Sequence, residues 1–316
     1  MTEQNNTSGQ RWKLIVSWLV LLLFIAAVEH WIGWKTVLAP WAQFSWAQGL
    51  IALALLVLSY ALRAWRMYDY FPQYLSGQWF ATWRLMLIHN ALNNLLPART
   101  GEASFPLLMK RYFGVSYAHS VSALLWFRLL DLHAILTFAV FPLLMITPLK
   151  KLATPLLLLW MTLPLLAYLL HNRIEIWFAG KDGKFSELAQ QAMYGLPDNW
   201  GEFWRSWAMT WANWLVKLVT IAWLLQQFVP AASWNLLLTS VVGGELTSVL
   251  PIHAPGGFGT YEAGIIAPLS RIVDVHTATI GAVNAHLFIL GSSLLGGLFG
   301  WMIPIKQPAT PPHSAQ

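Results

Sequence analysis

Apolar runs long enough to cross a bilayer, separated by short polar connections, make up most of the chain. After a polar start at residues 1–10, read as a disordered tail, Arg11 and Lys13 precede an apolar run that predicts an uncleaved first helix as far as Trp34. A Trp-rich interfacial connection at 35–48 leads to a second span at 49–64. Further spans are predicted at 119–147, 152–170, 206–229, 231–250 and 277–305, each long enough for the ~20 residues that a membrane helix needs. The fold class this pattern predicts is all-α: a polytopic integral membrane protein with about six to eight transmembrane helices in one membrane domain over 1–316.

Two stretches break the pattern. Residues 79–96 are apolar but carry Arg84, His89, Asn90, Asn93 and Asn94, and they run into Pro97, Arg99, Gly101 and Glu102 before a short continuation at 103–113. Near the other end, Leu250-Pro251 is followed by Pro255, Gly256, Gly257, Gly259 and Glu262, with 255–269 as the matching continuation. Proline removes a backbone donor and glycine frees the backbone angles, so Pro97, Gly101, Pro255, Gly256, Gly257 and Gly259 are candidate hinges of two re-entrant elements. Lipid offers a broken backbone no partners, so both elements must be buried in protein or line a wet cavity.

The two stretches also share an order of residues. Glu102 and Glu262 are 160 positions apart, and His119 and His276, each followed by hydroxyl and small residues, are 157 apart. This is a weak internal repeat, with halves at about 12–170 and 205–305. A cytoplasmic linker at 171–204, read as a passive connector with one amphipathic piece at 185–193, joins them. Interrupted segments at corresponding places in two halves are the best sequence pointer to a transporter's binding site. Ser292, Gly296 and Gly300 form a small-residue stripe suited to close helix packing, and a Pro-rich tail at 307–316 is expected to be disordered.

Composition agrees with the pattern: 57% of residues are hydrophobic and only 10% charged, with a mean hydropathy of +0.53. The 20 Trp cluster at segment ends as interface belts. The absence of cysteine excludes disulfides and thiolate metal sites, and the His residues show no metal-ligand spacing, so no metal or cofactor is expected. Residues up to 158 hold 12 Lys/Arg against 5 Asp/Glu, and those after it 7 against 8. That positive excess suits an anionic lipid surface rather than nucleic acid, and the basic flank of the first helix, Arg11 and Lys13, places the N-terminus in the cytoplasm.

Ionisable residues inside apolar helices are functional candidates by default. Arg128 and Asp131 share one helix face and can pair with each other or with Arg99 and Glu102. Arg99 presents a planar fork of donors suited to phosphate. Asn90, Asn94 and Glu262 complete the candidate substrate-binding set, with no catalytic residue assigned because no nucleophile motif is present. Arg63, Arg66, Lys110 and Arg111 read as ordinary basic anchors at span ends.

The motifs Asn94-Leu-Leu-Pro97-Ala-Arg99-Thr-Gly101-Glu102, Arg128-Leu-Leu-Asp131 and Pro255-Gly256-Gly257-Phe-Gly259-Thr-Tyr-Glu262 occur in that order. Through them the chain resembles the lysylphosphatidylglycerol synthase/flippase transmembrane-region family over about residues 12–305. Ala98 and Phe127 depart from the family's glycine and acidic residue. The resemblance implies a bacterial inner-membrane protein that moves phospholipid, expected to be anionic, between leaflets. Its best understood members add a soluble aminoacyl-transferase domain, which this sequence does not contain. The resemblance therefore implies transport, not synthesis. A membrane enzyme acting on a lipid-linked substrate, a scaffold with an envelope-assembly partner, and a homo-oligomer stay open at this point.

Overall fold

The structure, a computed structural model, describes residues 4–145, 148, 150–178, 181, 183–248 and 254–304. Within these, the side chains of residues 4–14, 17, 98, 99, 143–145, 172, 174, 175, 185, 188 and 192 lie outside the description. The described residues form helices and connecting turns, without strands. In chain order these are α1 (Gln4–Trp31), α2 (Trp34–Leu38), α3 (Trp46–Tyr70), α4 (Pro72–Leu75), α5 (Trp79–Leu95), α6 (Ser104–Phe113), α7 (Tyr117–Met145) and α8 (Lys150–Phe178). They are followed by α9 (Lys184–Tyr194), α10 (Trp200–Phe228), α11 (Trp234–Thr247), α12 (Thr260–Leu269) and α13 (Val275–Met302). Among the described residues five helices (α3, α7, α8, α10 and α13) are long and apolar enough to span a membrane. A sixth span is obtained if the first segment, bent by 89° at Gly33, is taken as one. The chain is an all-α polytopic membrane protein at the low end of the expected count.

Local chemistry sets several boundaries. Gly33 adopts φ +85° and separates α1 from α2, earlier than the Trp34 end expected for the first helix. That helix also begins at Gln4, inside the stretch read as a tail; residues 307–316 lie outside the description. Asn199 caps α10 by accepting from the Glu202 amide at 3.0 Å, and Asp274 caps α13 by accepting from the Thr277 amide at 2.9 Å. The Thr277 amide and hydroxyl hold the Asp274 carboxyl below the usual carboxylate range, so this cap stays charged at neutral pH.

The two interrupted stretches are helical hairpins. In the first, α5 and α6 run antiparallel around the 3-10 turn Pro97–Ala103: His89 Nδ1 lies 2.8 Å from Ser104 Oγ, and Arg84 stands 5.7 Å from the Tyr112 ring centre. In the second, α11 and α12 flank the turn Pro255–Gly257, with Tyr261 reaching back to Glu245. At ~1.5 Å per residue α5 is about 25 Å long, α11 about 21 Å, and α6 and α12 about 15 Å, all short of the ~30 Å hydrocarbon core. Within 231–250, expected to span, the described helix α11 has 14 residues and is not among the helices long enough to cross a membrane; it forms one arm of the second hairpin, and residues 249–250 lie outside the description. The Leu250-Pro251 break itself lies outside the described residues.

The frame positions these hairpins against each other. Helices α3 and α10 pack antiparallel, with Ser59 on Asn213 and Asp69 on Arg205. Helix α13 lies against α10 at its start, where Gly281 meets Val229, and against α5 at its end, where Gly297 meets Ala91. Following the spans in turn, α5 enters from the end of the bundle where α3 finishes, and α11 enters from the opposite end, where α10 finishes. Their tips meet inside the bundle, with α1 packed on both; Phe24 of α1 lies 5.8 Å from the Phe258 ring. Each hairpin has its own apolar core, one around Phe105, Met109 and Leu130, the other around Ile221, Leu237 and Ile265.

Two further segments pack against the bundle. The small-residue stripe of α13 is an internal seam: Gly296, Gly297 and Gly300 abut Leu87, Ala91 and the Arg84 carbonyl of α5. In the connecting stretch at 171–204, α9 packs on α7 and α8, and the Tyr70 hydroxyl donates to the Gly195 carbonyl. Burying the apolar face of a short amphipathic helix explains why this polar segment folds back.

Glycine allows the arms of each hairpin to touch. A Cβ on Gly101 would lie 2.3 Å from the Leu92 carbonyl oxygen, and one on Gly264 would lie 2.5 Å from that of Gly243. Gly264→Ala is expected to destabilise the protein by about 1–3 kcal/mol through overpacking against backbone that cannot step aside. Gly291→Ala in α13, where a Cβ meets nothing within 4 Å, should leave stability unchanged or slightly raised. Thermal unfolding of the two purified variants in detergent checks the pair.

Candidate functional site

Polar residues recur at helical spacing on the inner face of α3, as Ser59, Tyr60, Arg63 and Arg66, and on the facing side of α10, as Thr210, Asn213, Trp214 and Lys217. This periodicity aims two polar stripes at each other across an otherwise apolar pair of helices. Arg66 Nη1 donates to Asp131 Oδ1 at 2.9 Å and to Thr210 Oγ1 at 2.6 Å, with its guanidinium carbon 4.5 Å from the Phe127 ring centre. Trp214 Nε1 donates to the same carboxylate oxygen at 3.1 Å, and Arg128 Nη1 lies 3.5 Å from the other. Asp131 thus ties α3, α7 and α10 together through one buried group.

The same network reaches both hairpins. Arg128 Nε lies 3.2 Å from Glu102 at the first tip. Lys217 Nζ donates to Glu245 Oε2 at 2.6 Å, and the Tyr261 hydroxyl donates to Glu245 Oε1 at 3.2 Å. Beyond the second tip, Glu262 accepts from the Gly259 amide at 2.7 Å and lies 2.7 Å from His286 Nδ1. Each tip glutamate therefore meets a basic side chain of the span that follows its hairpin: Arg128 of α7 for Glu102, His286 of α13 for Glu262.

Between these groups lies a cavity of about 220 Å³. Its polar wall includes Arg63, Asn93, Asn94, Arg128, Asp131 and Lys217, and its floor is the second tip, where Gly256 and Gly257 have φ +70° and +76°. A side chain at either glycine would be strained in that backbone region. Trp214 forms one side, with Lys217 Nζ 5.1 Å and the Arg63 guanidinium carbon 5.9 Å from its ring centre. Such a chamber can hold a small polar group with charge-assisted hydrogen bonds at a depth where water is scarce.

Of the residues singled out in the sequence, Asn94, Arg128, Asp131, Gly256 and Gly257 line this cavity. Asn90 stands one layer behind, donating with Asn94 to Ser293 Oγ at 3.1 and 2.9 Å. Glu102 reaches the site through Arg128, and Glu262 sits behind Tyr261 and His286, which stack at 4.3 Å. Gly101 is packed on the α5 backbone, Pro97 and Pro255 are buried beside their turns, and Gly259 faces Val20 and Phe24 of α1. The side chain of Arg99 lies outside the described residues. Sequence reasoning missed Arg63, Arg66, Trp214, Lys217, Tyr261 and His286; the opposed polar stripes on α3 and α10 are the signal that could have found four of them.

A family described as the lysylphosphatidylglycerol synthase TM region has a model that matches residues 12–297, nearly the whole chain. The match makes this a multi-pass membrane protein of a family that acts on lipids. No curated protein matches the chain.

The Asp131 node also sets stability. The side chains of Arg66 and Asp131 are each only 7% exposed, and removing one partner strands the other's charge. Asp131→Asn is expected to cost about 3–5 kcal/mol, and the double variant Arg66→Met/Asp131→Leu to recover part of it, because the buried pair leaves together and Arg128 keeps Glu102, while the Trp214 indole loses its acceptor. Thermal unfolding of both in detergent, with wild type alongside, measures the difference.

Proposed function

We propose that this chain, which belongs to the lysylphosphatidylglycerol synthase transmembrane-region family, passes phospholipid headgroups between the leaflets of its membrane through the cavity at the hairpin tips. The observation that carries this reading is the cavity's position. Two short helical hairpins enter the bundle from opposite ends, and the charged chamber lies where they meet. A phosphodiester leaving water for hydrocarbon loses its hydration, and side-chain donors on both sides of its path can replace it. Arg63, Arg128 and Lys217 supply the cationic donors, and the Asn93 and Asn94 amides the neutral ones.

Neither tip anchors in the far interface, so each hairpin is able to tilt as a short rigid unit against the α3–α10 frame. Opening toward one end and then the other around a fixed site is the general scheme for transporters built from inverted elements. The ion pairs Arg128–Glu102 and Lys217–Glu245 link a frame helix to a hairpin, and in this scheme they re-form as the hairpins move. A headgroup phosphate competes for Arg128 and weakens one of those links while it is bound.

The test is leaflet exchange in vesicles that contain the purified protein and fluorescent phospholipids of several headgroup types. Wild type is expected to accelerate exchange, and Arg128→Gln to slow it by roughly tenfold or more, the weight of a lost hydrogen bond to a charged group. No exchange of any headgroup by correctly folded, inserted wild type would overturn the reading. Exchange at the wild-type rate in Arg128→Gln would remove that residue from it.

A further inference from the structure

The cavity at the hairpin tips is not closed on every side. Ile135, Trp214, Ile289 and Leu290 line it and are each less than a tenth exposed, but Leu129 of the same lining is 41% exposed. Leu129 is the 13th residue of the 29-residue α7, near the middle of a helix long and apolar enough to span the membrane. An opening at that depth faces hydrocarbon rather than water. Beyond it, Leu132, Leu136 and Val140 continue the same face of α7 at helical spacing. Leu129 and Leu132 line the cavity, whereas Leu136 and Val140 line a second, apolar groove of about 540 Å³ between α7 and α8. One stripe of α7 therefore joins a polar chamber to an apolar one.

Leu156, Leu159, Trp160 and Leu163 wall the groove from α8, again on one helix face. Its two polar side chains are already engaged: Trp160 Nε1 donates to Thr137 Oγ1 at 2.9 Å, and the Thr137 hydroxyl donates to the His133 carbonyl at 2.8 Å. A polar ligand would lose its hydration there without return, so the groove suits hydrocarbon. From Leu129 to Val140 the stripe runs about 16 Å at ~1.5 Å per residue, close to the half of the ~30 Å hydrocarbon core that one leaflet fills. We infer that the groove holds one acyl chain of the same lipid whose headgroup occupies the cavity, with the α7 stripe carrying the molecule from one to the other. This rests on the reading of the cavity as a headgroup passage and adds a subsite for the tail, which stays in apolar surroundings while the headgroup is inside. A chain lying from mid-span toward the end where α7 finishes has the direction of chains in the leaflet where α7 begins, so that leaflet supplies the lipid bound in this way.

The experiment reconstitutes the purified full chain with phosphatidylglycerol or phosphatidylethanolamine carrying a diazirine on one acyl chain, or with diacylglycerol bearing the same chain, and maps photolabelled residues by mass spectrometry. Residues 136–141 and 156–163 are expected to be labelled by at least one phospholipid about tenfold more than by diacylglycerol, and Arg128→Gln to remove most of that excess, because the lost headgroup contact releases the chain. Leu159→Trp fills the groove and should slow leaflet exchange by roughly tenfold, the worth of about two buried methylenes. Leu158→Trp, at an exposed position of α8 outside the groove, should leave exchange unchanged. Labelling by both phospholipids at the diacylglycerol level means ordinary bilayer hydrocarbon in the groove and overturns the proposal. So does a full excess in folded Arg128→Gln, which makes the groove lipid a different molecule, or unslowed exchange in Leu159→Trp. If the headgroup-dependent labelling appears but wild type exchanges no lipid, the two-part site stands and the transport reading falls; exchange without that labelling leaves transport standing and removes the tail subsite.

Discussion

One carboxylate, Asp131, carries the weight of the interior. Two guanidinium groups and an indole N–H converge on it from three helices. A charge at that depth must be matched where it stands, since neither lipid nor bulk water can do so. The match fixes the rotation of α3, α7 and α10 about their own axes, because an apolar helix pair alone tolerates sliding that an ion pair does not. From that fixed frame Arg128 reaches to Glu102 at one tip and Lys217 to Glu245 behind the other. Both hairpins are thereby placed by charge as well as by packing.

The hairpins show how a membrane protein keeps a non-helical backbone at depth. Each turns sharply through proline and glycine, and each buries the turn against its neighbours, including α1. Close approach does the rest. Gly101 on the Leu92 carbonyl and Gly264 on the Gly243 carbonyl bring the arms into backbone contact, so van der Waals packing replaces the hydrophobic drive that lipid cannot supply. The two elements enter from opposite ends, and each tip glutamate bonds to the following span. This common logic makes one polar chamber out of segments far apart in the chain.

Much of this was legible along the chain. Hydropathy marks the spans because membrane length is a local requirement, met residue by residue. Proline and glycine mark the breaks because their effect is confined to their own backbone. Arg128 and Asp131 stood out because both lie in a run where any charge is expensive. Other assignments depended on neighbours that sequence cannot supply. Residues 231–250 are as apolar as a span, yet the described helix α11 has only 14 residues and packs along α12 as one arm of a hairpin, a pairing that apolar composition does not reveal. For the connector at 171–204, the sequence shows an amphipathic piece but not the surfaces of α7 and α8 on which α9 packs.

The arginines of α3 draw the line most clearly. Arg63 and Arg66 are three residues apart at what reads as the basic end of a span, and by local chemistry they are equivalent anchors. Sequence determined that the charges exist, that they lie near apolar runs, and that the backbone breaks at Pro97 and near Pro255. The tertiary structure alone decided that Arg66 meets Asp131, 65 positions away, while Arg63 is left facing a cavity. Periodicity reports which face of a helix a residue shares; whether a charge on that face is satisfied depends on what a distant segment places opposite it.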